Sequence, residues 1–177
     1  QKETLAPSWY EKKLWHWYDC TDYAINLFHC PTVAYSGELD IQKQAADIMA
    51  TALQKEGLEL LHLIGPQTKH RIHPDSKQEI ERRLDSLAEQ GRRVNPRSVH
   101  FVTYTLKYNR MHWVVIDALN KHWERAQVDA QTGDSSVKVS TRNVKAISLS
   151  FRPGYARFAL REPVKIRIDG QAIMGPR

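Results

Sequence analysis

The sequence lacks the features that mark several protein classes. It has only two cysteines, Cys20 and Cys30, too few for a disulfide framework, and neither belongs to a Cys-x-x-Cys pair. Sequence leaves open whether they are bridged or are buried thiols, because a bridge needs Cα atoms within about 7 Å. No stretch approaches the roughly 18 apolar residues that span a bilayer, so no membrane segment is expected. The opening Gln1-Lys2-Glu3-Thr4-Leu5-Ala6-Pro7 has no initiator methionine and no apolar signal core, the form of a processed or excised chain. No Gly-x-Ser-x-Gly occurs. Ser36 adjoins the acid-bearing strand end, and Ser76 and Ser86 fall in a helical pattern, so none has the strand-to-helix context of a nucleophilic serine.

What is present is an ordinary globular composition with an uneven charge. Hydrophobic residues make up 41% and charged residues 26%, too apolar for disorder. Residues 1–96 hold 12 Lys/Arg and 14 Asp/Glu, a net −2, whereas residues 97–177 hold 14 and 6, a net +8. Such a split indicates two units with different surfaces, assigned here to residues 1–95 and 96–177. The basic charges of the second unit stand singly along strand-like segments rather than in a run, and no nucleic-acid partner is expected.

The first unit reads as α/β. Ser8 to Phe28 is helical and rich in aromatics, with a break near Asp19-Cys20-Thr21; most of those aromatics are read as packing. Thr32–Ser36 is a short apolar strand closed by Gly37. Gln42–Glu56 has the spacing of an amphipathic helix, with Ala45, Ile48, Met49, Ala52 and Leu53 on one face. Leu58–Ile64 is a second buried strand closed by Gly65-Pro66, and Pro74 to Gln90 is a last helix ended by Gly91. This is the pattern of a βαβ unit on a parallel sheet. Two strands do not make a stable doubly wound sheet, so the remainder is expected from elsewhere. The second unit reads as all-β, an antiparallel sandwich or meander. Its strands are His100–Tyr108, Met111–Ala118, Ala126–Ala130, Ser136–Thr141, Ala146–Phe151 and Val164–Ile168, with a tight turn at Asn109-Arg110.

Two loops carry residues suited to chemistry. Asp40 follows the first buried strand, where open α/β sheets place their sites; by itself it could be only a helix N-cap. His70 follows the second strand, on a loop from which a general base can reach a nucleophile. Acid before histidine, on adjacent strand ends, is the order of the Ser…Asp…His hydrolases. Catalytic Asp40 and His70 are therefore the expected pair. His73, three residues on, is the alternative. His62, His70, His73 and Asp75 lack zinc-site spacing, and neither a metal nor a cofactor is expected.

Cys30-Pro31-Thr32-Val33-Ala34-Tyr35-Ser36-Gly37-Glu38-Leu39-Asp40 and the Gly65–His70 loop resemble the C-terminal end of the catalytic domain of prolyl-oligopeptidase-like α/β-hydrolases. The resemblance runs from Trp9 to about Gln90, half the chain. It implies that Gly37-x-x-Asp40 supplies the triad acid and His70 the base. The nucleophilic serine would then lie in an upstream part of the same hydrolase or in another chain, and a peptide or ester would be the substrate. Lys69 departs from the small residue that commonly precedes the histidine, which keeps His73 in view. The β-rich part from Arg97 resembles a domain appended to some large bacterial members. A secreted or periplasmic setting is favoured over the cytoplasm, without a feature that decides it.

A second function class is a non-catalytic module binding a glycan, a peptide or a partner surface through the β-rich unit. Tyr104, Tyr108, Trp113 and Trp123 exposed on one sheet face would favour it; the same residues buried would make them core.

Overall fold

The computed structural model describes residues 6–156, 158 and 163–175. The elements in chain order are α1 (Trp9–Trp15), a 3₁₀ segment (Cys20–His29), β1 (Val33–Gly37), α2 (Lys43–Lys55), β2 (Leu61–Gly65) and α3 (Pro74–Gln90). Then come β3 (Ser98–Thr103), a 3₁₀ turn (Leu106–Tyr108), β4 (Arg110–Met111), β5 (Val114–Leu119), β6 (Ala126–Thr132), β7 (Ser136–Arg142), β8 (Val144–Leu149), β9 (Lys165–Ile168) and β10 (Gln171–Met174). The chain divides into two compact units, Cys20–Val94 and a second made of Gln1–Asp19 with Asn95–Arg177. The charge-based boundary near residue 95 coincides with this division, but the N-terminal segment groups with the β-rich unit.

In the Cys20–Val94 unit, β1 and β2 pair in parallel from Val33↔Leu61 to Gly37↔Gly65, so both strands end at the same level. Between them α2 lays Leu53 into the interior. Pro74 opens α3 at its first turn, where the missing N–H costs nothing, and Gly91 closes it at φ 66°. This small sheet has little core. The buried apolar residues are Ala24, Ile25 and Leu53, and the 17-residue α3 has no buried side chain. Ile48, Ile64 and Leu84 are 51%, 40% and 53% exposed. Parallel sheets are ordinarily covered on both faces; here most strand residues are only partly buried, Ile64 is exposed, and the helices leave Ile48 and Leu84 in solvent.

The other unit holds a conventional core. A five-stranded sheet in the order β10-β9-β7-β6-β3 and a three-stranded sheet β4-β5-β8 both send side chains into one apolar cluster. Val99, Phe101, Trp113, Ile116, Val128 and Val137 are among its members. The alternation is plain along β7, where Val137 and Val139 are buried while Ser136, Lys138, Ser140 and Arg142 face out.

Several details differ from the sequence reading. The strand expected over His100–Tyr108 runs from Ser98 to Thr103, and Leu106–Tyr108 is a 3₁₀ turn capped by the Thr105 hydroxyl. The larger sheet is mixed, because β7 and β9 are parallel; the chain leaves β7 at Asn143 (φ 57°) and enters the other sheet as β8, so β7 and β8 form a corner rather than a hairpin. Asn143 fixes that corner by donating to the carbonyls of Lys121 and Glu124 and accepting from the N–H of Lys121. The tight turn lies at His112-Trp113 (His112 φ 51°), not at Asn109-Arg110, because Trp113 is drawn into the core and donates from Nε1 to the carbonyl of Pro96 at 2.8 Å. Finally, Asp169-Gly170 is a two-residue hairpin turn with both φ positive, and a further strand, β10, follows the last one expected from the sequence.

Helix α1 is short. Ser8 and Glu11 form a capping box, yet seven residues are marginal without tertiary support, and no α1 side chain is buried. The residues just after it supply contacts. His16 stacks on Tyr104 with centroids 4.4 Å apart, and Trp17 on Trp123 at 5.8 Å. Lys107 Nζ lies 4.5 Å from the centre of the Trp17 ring.

Candidate functional site

The common ending of β1 and β2 brings two loops side by side. From the first, Asp40 turns its carboxylate toward the second. Its Oδ1 accepts from the N–H of Gln42 at 2.9 Å, and its Oδ2 lies 2.9 Å from Nδ1 of His70. Asp40 is therefore both the cap of the turn into α2 and the partner of a histidine. The Gln42 N–H and the His70 hydrogen bond hold its carboxyl below the usual 3.8 against a smaller opposing effect of burial. An ionised carboxylate only accepts, so the proton of this contact belongs to Nδ1 and the neutral ring keeps Nε2 as its acceptor. The two side chains differ in exposure: Asp40 is 10% accessible and His70 78%.

The backbone around the pair is tightly fixed. The N–H groups of Glu38 and Leu39 donate to the carbonyls of Gly65 and Thr68, both at 2.9 Å. Glu38 Oε2 accepts from the N–H of Gln67 at 2.8 Å, holding Gln67 at φ 51°, a conformation uncommon for a side-chain-bearing residue. Gly37 is required by close approach: a Cβ there would lie 2.1 Å from the carbonyl oxygen of Lys69. The residue before the histidine thus meets β1 through its backbone, and a large side chain at position 69 is accommodated.

Tyr35, a strand residue with no motif of its own, is the centre of this loop. Its hydroxyl donates to the carbonyl of Arg71 at 2.9 Å, accepts from the N–H of His73 at 2.9 Å and sits 3.1 Å from Thr68 Oγ1. Gly65 makes room for it, since a Cβ there would stand 2.0 Å from the Tyr35 oxygen. One phenol thus holds both sides of His70. No sequence pattern announces this, because the partners are the Thr68 hydroxyl and two backbone groups, 33 to 38 residues away.

His73 is occupied differently. It is the N-cap of α3, and its Nδ1 accepts from the N–H of Asp75 at 3.3 Å. The structure brings His70, not His73, to Asp40. A second grouping, missed in the sequence, is Ser36 Oγ 2.9 Å from His62 Nε2, with His62 Nδ1 3.7 Å from Asp47 Oδ1. It has the order of a triad without the access of one. Ser36 is buried in β1, the His62–Asp47 separation exceeds a hydrogen bond, and both Asp47 oxygens are held by Lys43 at 2.8 Å.

Among the described residues no group of three or more His, Cys, Asp or Glu is placed to hold a metal ion. Cys20 and Cys30 are both free and exposed, neither bridged nor buried. Of the aromatics weighed as a binding platform, Trp113 and Tyr104 are buried, Trp123 is stacked on Trp17, and Tyr108 is the exposed member at 44%. They pack rather than form an open platform. Comparison with protein-family models, curated proteins and solved structures finds no match for this chain.

Proposed function

We propose that this chain contributes the acid and the histidine of a serine hydrolase, a peptidase or esterase of the prolyl-oligopeptidase-like α/β-hydrolase type, whose serine is supplied from outside it. The observation that carries the reading is the 2.9 Å contact between Asp40 and His70 Nδ1 at the common end of two parallel strands. In this reading Nε2 of His70 takes the proton of the serine hydroxyl as that oxygen bonds to the carbonyl carbon of a peptide or ester. Asp40 fixes the tautomer and stabilises the imidazolium, and His70 then returns the proton to the leaving amine or alcohol. Water repeats the cycle on the acyl-enzyme.

The exposed surface of the Cys20–Val94 unit supports the same reading. A two-stranded parallel sheet, with an α3 that has no buried side chain, is what the last part of a larger sheet would present. The partner is the remainder of that sheet, in an upstream part of the same hydrolase or in a chain carrying the serine.

The test is reaction of the complete gene product with a fluorophosphonate, which labels activated serines. The expected result is labelling at a serine outside this chain that His70→Ala abolishes and His73→Ala leaves intact. Labelling that survives His70→Ala would overturn the assignment.

A further inference from the structure

We infer that the outer face of the five-stranded sheet binds an acidic polysaccharide, a polymer carrying carboxylate or sulfate groups among hydroxyls. The register places four cations on this face, Lys138 and Arg142 from β7 and Lys165 and Arg167 from β9. Lys138 and Arg167 are direct cross-strand partners, an arrangement that costs stability unless something neutralises it. Among the described residues none of the four side chains meets a carboxylate or another hydrogen-bond partner. Asp129, the acid on the neighbouring β6, is already engaged, by His100 Nδ1 at 2.6 Å and Gln127 Nε2 at 2.8 Å.

The face is also grooved. A depression of about 570 Å³ runs along Lys138, Lys165, Arg167, Ala172, Ile173 and Met174, and a second of about 400 Å³ is lined by Ser98, His100, the engaged Asp129, Gln131 and Ser140; the two meet at Lys138. Cations thus stand beside apolar side chains and Ser136 in the first depression and beside small hydroxyl and amide side chains in the second. That pattern matches a polymer whose anionic groups are separated by sugar hydroxyls. No Phe, Tyr or Trp from these strands faces outward here among the described residues; the one such residue in them, Phe101, is buried. Single-stranded nucleic acid therefore lacks the stacking surface it ordinarily uses. The inference does not depend on the hydrolase reading.

The experiment is titration of the full chain with polygalacturonate, a carboxylate source, and heparin, a sulfate source. Neutral dextran, duplex DNA and poly-glutamate are run alongside. At least one acidic polysaccharide is expected to bind, with an affinity that falls as salt rises. K138S/R167S is expected to weaken that binding about tenfold with thermal unfolding unchanged or slightly raised, since both side chains are exposed and their mutual repulsion is removed. K12S/K13S, the same change in net charge on α1, is expected to leave it unaltered. The inference is overturned if neither polysaccharide binds, if K138S/R167S binds as tightly as the parent, or if K12S/K13S weakens binding equally. It is also overturned if DNA or poly-glutamate binds as tightly as the polysaccharides.

Discussion

Single residues decide whether His70 stands where Asp40 can reach it. Asp40 itself is read through its titration. Its carboxyl is held low first by the Gln42 N–H and then by His70, so the native state gains from its ionised form. That contribution is present above the ordinary 3.8 and is lost as pH falls through the depressed native value. Carbonyl NMR is expected to place the midpoint below 3.8, and in His70→Ala to move it only part of the way back, since the larger cause remains. Tyr35→Phe removes an oxygen that serves both Arg71 and His73. The expected cost is about 1–3 kcal/mol in urea unfolding, with faster amide exchange at His73. Gly65→Ala should couple to it: the clash with the Tyr35 oxygen disappears in the Phe background, so the double variant is expected to be more stable than the sum of the singles requires. Strict additivity would contradict the close packing described.

At the scale of elements, legibility followed local signals. Helix α3 was read to its last residue, because Pro74 and Gly91 punctuate it. The strands β1 and β2 and the Asp40 and His70 loops were legible for the same reason, a short apolar run closed by glycine. What escaped depends on contacts distant in sequence. Trp113 in the core sets the β4–β5 turn, Asn143 sends β8 into the other sheet, and the Tyr35 hydroxyl binds a loop that only folding brings near. The Asp169-Gly170 break was legible, since that dipeptide is a hairpin signal, but the short strand after it was not, because Gln171–Met174 is exposed along its length. Helix α3 also permits a pH prediction. Arg82 and Arg83 pull the Glu79 carboxyl down to about 2 from 4.5. The stabilisation is therefore complete above the ordinary value and disappears between 4.5 and about 2 as the acid is protonated. Glu79→Gln is expected to remove that pH dependence from the helical circular dichroism signal.

At the scale of the molecule, the two units differ in what holds them. The β-rich unit has a continuous cluster contributed by both sheets, whereas the Cys20–Val94 unit has few buried apolar side chains. Hydrogen exchange is accordingly expected to be slowest in β5, β6 and β7 and fast throughout α3; equal protection in both would contradict the view that the small sheet lacks its cover. The measurement that bears most directly on the proposed function is kcat/KM for ester hydrolysis by the complete gene product, compared with its His70→Ala, Asp40→Asn and His73→Ala variants. Losses of about 10³–10⁴ are expected for the first two, and a change of no more than a few-fold for the third. Full activity in His70→Ala would contradict the account.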